Sequence, residues 1–378
     1  MSIENHETTT YFNAHAMSLL MDAVLGLEDG TVVFGRGFGA EATICGELVF
    51  TTQFTGYEEA LTDPSYKGQI LMFAYPLIGN YGVNPDSFQS GGMQAEGLVV
   101  REMCDHPSSY QQVLSIEEFL RQEGKPGISE VDTRALTIKT REHGTLRACL
   151  MTGDRVDGDE AVELARTQPD ISKLDLIGYV TCKKPYHIEG GGRRVALIDL
   201  GVKKNILKSL RARDLDIFVF PANTSVSDIE KIDPDLLFLS NGPGDPKQAK
   251  DAIKLVSDLA GTLPIAGICL GHQIIALALG AETYKLKFGH RGANQPVKDL
   301  DTGRVNITSQ NHGFAVVPGS VEGTEMRVTE INTNDGTVEG IIAPDLDIFS
   351  VQYHPEAHPG PRDSEKWFFD RVLKMAGG

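Results

Sequence analysis

Leu263-Pro264-Ile265-Ala266-Gly267-Ile268-Cys269-Leu270-Gly271-His272-Gln273-Ile274-Ile275-Ala276-Leu277-Ala278-Leu279-Gly280 is the most telling stretch of the chain. Leu263–Ile268 is an apolar run of strand length, and His272–Leu279 reads as a helix that Gly280 closes. Cys269 therefore falls in the turn between a buried strand and a helix, with Gly267 and Gly271 two residues to either side. This G-x-C-x-G spacing suits a nucleophile elbow, because residues without a β-carbon avoid the clashes of so sharp a bend. The first N–H groups and the dipole of the helix favour negative charge. They are expected to draw the thiol toward thiolate and to offer donors to an oxyanion. A small buried apolar cysteine without chemistry is the alternative.

A thiol nucleophile needs a base, and Phe349-Ser350-Val351-Gln352-Tyr353-His354-Pro355-Glu356 supplies a candidate at the end of an apolar strand. Residues i and i+2 of an extended chain share a side, so Glu356 is expected to reach the far imidazole nitrogen of His354 and fix its tautomer. Cys269, His354 and Glu356 then form a Cys–His–Glu relay, each half supplying what the other lacks. Taken singly, a strand-end histidine and a solvated glutamate would carry no such meaning.

Upstream of the elbow, apolar runs alternate with amphipathic stretches. Val195–Leu200, Ile217–Phe220 and Leu236–Ser240 read as strands, and Lys203–Arg213, Val226–Ile232 and Ala249–Ala260 as helices. This βαβ repetition implies a doubly wound, mostly parallel sheet over residues 193–378. The carboxyl ends of its strands meet at one edge, where ligands of open α/β sheets bind, and Ser240–Pro246 and Cys269 both fall there. Residues 19–152 have another texture, with β-rich segments at Thr31–Phe34 and Glu47–Thr52 between Gly, Pro and Asp turns. A separate mixed β/α domain is expected. Residues 153–192 are read as a connecting segment, with a helix at Asp159–Arg166 and Gly190-Gly191-Gly192 as a hinge or linker. The polar residues 1–18 are expected to be a disordered tail.

The 378 residues suit two domains at about 150 residues each, and the net charge of −17 argues against nucleic acid or an anionic membrane surface as partner. No apolar run approaches the ~18 residues of a membrane span. Five scattered cysteines, Cys45, Cys104, Cys149, Cys182 and Cys269, do not make a disulfide framework and fit a cytoplasmic location. Cys269 and His272 have C-x-x-H spacing, but no second pair completes a zinc set, so no metal is expected. A G-x-x-x-x-G-K-[ST] phosphate loop is absent from the sequence.

Gly267–Gln273 with His354-Pro355-Glu356 resembles the pattern of class I glutamine amidotransferases, whose fold is flavodoxin-like. The likeness extends further. Ser240-Asn241-Gly242-Pro243-Gly244-Asp245-Pro246, Lys287-Phe288-Gly289-His290 and Gln310-Asn311-His312-Gly313-Phe314-Ala315-Val316 resemble the small, glutamine-hydrolysing subunit of carbamoyl-phosphate synthetase. So do Phe54-Thr55-Gly56-Tyr57-Glu58-Glu59, Leu61-Thr62-Asp63-Pro64-Ser65-Tyr66 and Tyr75-Pro76-Leu77-Ile78-Gly79-Asn80 of the N-terminal half. The resemblance implies attack of the cysteine on the side-chain amide of L-glutamine. It assigns the Gly242 and Leu270 amides to the oxyanion, and Ser65, Gly244, Gln273, Asn311, Gly313 and Phe314 to the glutamine pocket. It implies no cofactor in this chain, and a heterodimer with a large subunit that uses ATP with Mg and bicarbonate. That subunit receives ammonia and makes carbamoyl phosphate for arginine and pyrimidine synthesis, docking mainly on residues 19–152. Two alternatives stand beside this: an amidotransferase serving another synthase, such as anthranilate or guanylate formation, and a non-catalytic regulatory subunit of the same fold.

Overall fold

The computed structural model describes residues 21–377, and the tail expected at 1–18 lies outside them. In the N-terminal half, seven strands close into a barrel. Around it run Met21–Leu27, Val32–Gly39, Pro126–Ser129, Gly97–Val99, Gln69–Phe73, Ala42–Thr51 and Leu146–Gly153, the last pairing back with the first. Strand periodicity explains the closure. Ala23, Leu25 and Leu27 turn to the inside with Leu48, Phe50, Ile70, Met72, Val99, Ile128 and Leu150, while the intervening Val24 faces out. Closure depends on pairings far apart in sequence, such as Val24 with Met151, and local texture does not reveal those.

Residues 153–192 do not stand apart as a connecting segment. The helix Gly158–Thr167 lays Ala161 and Ala165 against Val24, Cys149 and Met151 on the outside of the barrel. Tyr186–Ile188 instead joins the C-terminal sheet as an edge strand antiparallel to Asp216–Pro221. The triglycine between this edge strand and Arg194–Asp199 is tied down. Gly191 N and Gly192 N donate to Asp214, and Gly190 N donates to Asp216.

The C-terminal sheet has ten strands. Its centre is parallel, in the order Asp216–Pro221, Arg194–Asp199, Leu236–Leu239, Ile265–Ile268 and Ile348–Val351. Alternate residues split between two cores. Ala196 and Ile198 pack with the helices Lys250–Leu259 and Leu270–Ala278 on one face. Val195 and Leu197 pack with Lys204–Arg211 and Glu365–Met375 on the other. That is the doubly wound arrangement. The remaining half of the sheet is antiparallel, through Val338–Ala343, Arg327–Asn332 and the long ribbon of Thr283–Asp299 with Val305–Val316. The ribbon's register breaks between Lys285 and His290 and again between Gly292 and Gln295. Such irregularities bend it and re-aim its side chains.

Candidate active site

Cys269 sits at φ 55° and ψ −102°, a conformation that few side-chain-bearing residues adopt and that stores of order 1–3 kcal/mol. The surroundings hold it there. Its N–H donates to the Val351 carbonyl at 2.9 Å, its carbonyl accepts from Gln273 N at 3.2 Å, and Gly271 N donates to the Ser240 carbonyl at 3.1 Å. Both flanking glycines are needed for close packing. A β-carbon on Gly271 would lie 2.4 Å from the Leu239 carbonyl oxygen, and one on Gly267 would lie 2.9 Å from the Gly271 carbonyl carbon. The helix begins at Leu270, directly after the cysteine and two residues before the sequence suggests. Two groups touch the sulfur: Gln352 Nε2 at 3.6 Å as donor, and the Asn311 carbonyl at 3.8 Å as acceptor.

His354 Nδ1 lies 2.8 Å from Glu356 Oε1, and both residues are buried. Strand alternation is not what joins them, because the strand Ile348–Val351 has already ended. The pair forms inside a turn that has Pro355 at its second position and is closed by Ala357 N donating to the His354 carbonyl at 3.3 Å. His354 N is anchored in turn on the Ser309 carbonyl at 2.9 Å. Nε2 makes no hydrogen bond, and the Cys269 thiol is its electrostatic neighbour. Catalytic contacts are commonly loose before substrate arrives.

Behind Glu356 stands a residue that the sequence reading took only for the start of a helix. Lys203 Nζ lies 2.6 Å from Glu356 Oε1 and 3.8 Å from Asp63 Oδ2, with both partners buried. The site's electrostatics follow from this arrangement. Burial alone would push His354 down, and Lys203 adds to that, but the charges of Glu356 and Cys269 prevail and raise the imidazole to about 9. Burial would raise Glu356, yet Lys203 and His354 outweigh it and hold the carboxyl at about 2. Lys203 likewise overcomes its burial through Glu356 and Asp63 and stays above its ordinary value. Its signal in the sequence is faint, the first of two adjacent lysines, Lys203 and Lys204, just past the carboxyl end of a buried strand.

A cleft of about 500 Å³, counted to its open mouth, lies over Cys269. Ser65, Gly242, Gly244, Leu270, Gln273, Asn311, Gly313 and Phe314 all line it, as do Glu47, Lys285 and Arg291. His354 and Glu356 line an adjoining cavity with Lys203 and Asp63, and Asn311 borders both spaces. Several links cross between the two halves of the chain. Asn241 Nδ2 donates to Ser65 Oγ at 2.9 Å, and Asn311 Nδ2 donates to Asp63 Oδ2 at 3.2 Å. Gln273 Nε2 donates to the Phe314 carbonyl at 2.7 Å and to Gln352 Oε1 at 3.0 Å, which ties the elbow helix to the ribbon. Gln352, Asp63 and Arg291 went unnoticed in the sequence, since polar residues next to motifs look like ordinary turn or strand residues until the fold closes over them.

Three further histidines near the cleft, His272, His290 and His312, have partners in the fold. His272 is fully buried with Nδ1 3.0 Å from Ser350 Oγ, and burial depresses it to about 3, so it packs as a neutral ring. His290, His312 and Glu339 lie close enough to suggest metal ligands. His290 Nε2 meets Asp335 Oδ2 at 2.8 Å, and Nδ1 faces Glu339 at 3.7 Å. His312 is held through the Phe314 carbonyl at 2.8 Å and Gln310 Oε1 at 3.0 Å. Burial opposes the charge on His290, but the two carboxylates outweigh it and raise the ring to about 9.

A strained cysteine elbow at the carboxyl edge of a parallel sheet, beside a His–Glu pair in the turn after the neighbouring strand, fits a class I glutamine amidotransferase. Residues 196–375 match the family model described as glutamine amidotransferase class-I. Residues 25–150 match a second model, described as carbamoyl-phosphate synthase small chain, CPSase domain. The chain is 60% identical to the carbamoyl phosphate synthase small chain of Methanosarcina mazei over 367 residues, covering 95% of this chain and 100% of that one. It is 52% identical to the protein of the same name from Archaeoglobus fulgidus, over 94% of this chain and 99% of that one. Against the Bacillus cereus protein of that name, identity is 50% over 93% and 95% of the two chains. The chain belongs to the carbamoyl-phosphate synthase small chain family.

Proposed function

We propose that this chain hydrolyses L-glutamine through a glutamyl thioester on Cys269 and passes the ammonia to a large partner chain. In this reading the Cys269 thiolate adds to the side-chain carbonyl carbon of glutamine. The oxyanion is received by the Gly242 and Leu270 amides. These two residues adjoin, since a β-carbon on Gly242 would come 2.8 Å from Leu270 Cδ2. His354, held as imidazolium by Glu356, gives its proton to the departing ammonia. It then takes a proton from the water that cleaves the thioester, and collapse of that adduct releases glutamate and expels the Cys269 thiolate, which restores the starting thiolate–imidazolium pair. Lys203 fixes the charge of Glu356 behind the relay.

The observation that carries this reading is the 2.8 Å bond from His354 Nδ1 to Glu356, which leaves Nε2 unpartnered beside Cys269. The reaction as written uses side chains and backbone amides of this chain, and members of the class are typically free of cofactors. A small chain implies a large one, and this reading gives that partner the chemistry of ATP with Mg, bicarbonate and carbamoyl phosphate. Ser65, Gly244, Gln273, Asn311, Gly313 and Phe314 would hold the substrate's amino-acid head. Residues 19–152 would form the main docking surface. The test is glutamate release from glutamine, alone and with the large chain, Mg-ATP and bicarbonate, against Cys269→Ser. Expected is Cys269-dependent release that rises with the partner and yields carbamoyl phosphate. Release indifferent to the partner would contradict the assignment.

A further inference from the structure

Arg291 is a buried cation without a counter-ion. It is 4% exposed, and among the described residues its side chain makes one hydrogen bond, from Nη1 to the Phe288 carbonyl at 2.7 Å. Its Nε is buried without a partner, and among the described residues no carboxylate lies within ion-pair distance. Glu47 is the carboxylate it feels most, but Glu47 is already engaged by Lys285 at 2.7 Å, Thr145 at 2.8 Å and Gln69 at 3.1 Å. A guanidinium cannot shed its charge to escape desolvation, so an unpaired one in the interior is costly. Burial does push Arg291 below its ordinary value.

The chain nevertheless builds a seat for it. Arg291 pairs in register with Asn311 across the ribbon, so the two side chains share one face, and both line the cleft over Cys269. Gly289, at φ 71°, leaves room for Nη1, because a β-carbon there would lie 2.4 Å away. A β-carbon on Gly313 would come within 3.3 Å of Nη2. The fork is thus cradled by glycines, with most of its donors unspent.

We infer that Arg291 receives the α-carboxylate of the glutamine substrate, and so makes this cleft specific for amides that carry a free carboxylate at their other end. The inference rests on the glutaminase reading above and adds its specificity determinant. The bound carboxylate supplies the missing counter-ion, and a planar guanidinium suits a carboxylate better than a point charge does.

The test compares two substrates on the full chain: L-glutamine and L-glutaminamide, whose α-carboxylate is replaced by a neutral amide. Cys269-dependent ammonia release should favour glutamine by about 100-fold in kcat/KM, the scale expected when a buried charged donor is left unpaired. In Arg291→Gln the preference should collapse toward unity, through a loss on glutamine and little change on glutaminamide. Arg291→Lys should keep part of it. A merely structural arginine would lower both substrates alike, and an unchanged ratio in Arg291→Gln would overturn the inference. Equal use of both substrates by the unsubstituted chain would overturn it without any variant. Failure to release ammonia from glutamine in a Cys269-dependent way would instead sink the glutaminase reading, and this inference with it.

Discussion

Lys203 Nζ lies 2.6 Å from Glu356 Oε1, and the pair is buried beneath the His354 imidazole. Lys203 follows the first parallel strand and Glu356 follows the last in sequence, so the sheet's topology joins them. The lysine keeps the carboxylate charged, the carboxylate keeps the imidazole protonated, and the imidazole faces the thiol. The proposed Cys269–His354–Glu356 relay thus gains Lys203 as a fourth, charge-holding member.

Lys203→Met should strand Glu356 as an uncompensated buried charge, at a cost of about 3–5 kcal/mol. Glu356 is held at about 2, below its unfolded value, so its contribution to stability is present above the ordinary carboxylate range and is lost as pH falls from that range through about 2. The variant's denaturation midpoint should thus fall well below that of the native chain at neutral pH, and the gap should narrow at about pH 3, inside that window. Urea unfolding at both pH values checks this, and a gap of constant size would speak against it.

Glu356→Gln should move the alkaline limb of activity. His354 stays protonated up to about 9 in the native site because Glu356 and Cys269 outweigh burial and Lys203. Removing the Glu356 charge lowers the imidazole pKa, so protonation of departing ammonia fails at a lower pH. The profile of kcat/KM for glutamine against pH should lose its alkaline side first, and its falling limb should shift downward.

Gly271→Ala should damage the elbow through its backbone. The added carbon would meet the Leu239 carbonyl at 2.4 Å, and overpacking of this kind costs about 1–3 kcal/mol or more. Gly319, with nothing within 4 Å of a new β-carbon, is the control, and Gly319→Ala should stay within about 0.5 kcal/mol. Denaturation midpoints of the two variants decide the point.

Ser65→Ala should act mainly on KM. The hydroxyl comes from the N-terminal half, is positioned by Asn241 Nδ2 at 2.9 Å and lines the cleft beside Cys269. Loss of one hydrogen bond to a charged ligand group, about 1.5 kcal/mol, corresponds to a rise of roughly tenfold. An unchanged KM for glutamine would remove Ser65 from the pocket.

How much of this could be read from the sequence depended on range. The parallel strands and the elbow were legible because periodicity and the Gly267-x-Cys269-x-Gly271 spacing act within a few residues. Ser65, Asn311 and Phe314 were reached only through resemblance to a family, and the fold gathers them around one cleft. Lys203 and Arg291 were invisible in the sequence, since a lysine at a helix start and an arginine in a strand acquire meaning only when Glu356 or an empty cleft is brought to them. The barrel's closure through Met21–Leu27 and Leu146–Gly153 is non-local in the same way. Composition suggests a flexible hinge or linker at Gly190–Gly192, whereas in the fold Asp214 and Asp216 bind its amides.

The central claim is that glutamine is cleaved through a covalent bond to Cys269. Acid quenching of the chain during turnover, followed by mass spectrometry of the peptide bearing Cys269, tests it most directly. A glutamyl adduct on that peptide is expected, accumulating when His354→Asn slows hydrolysis of the thioester and absent from Cys269→Ser. Glutamate release that persists in Cys269→Ser, with no adduct in any variant, would contradict the account.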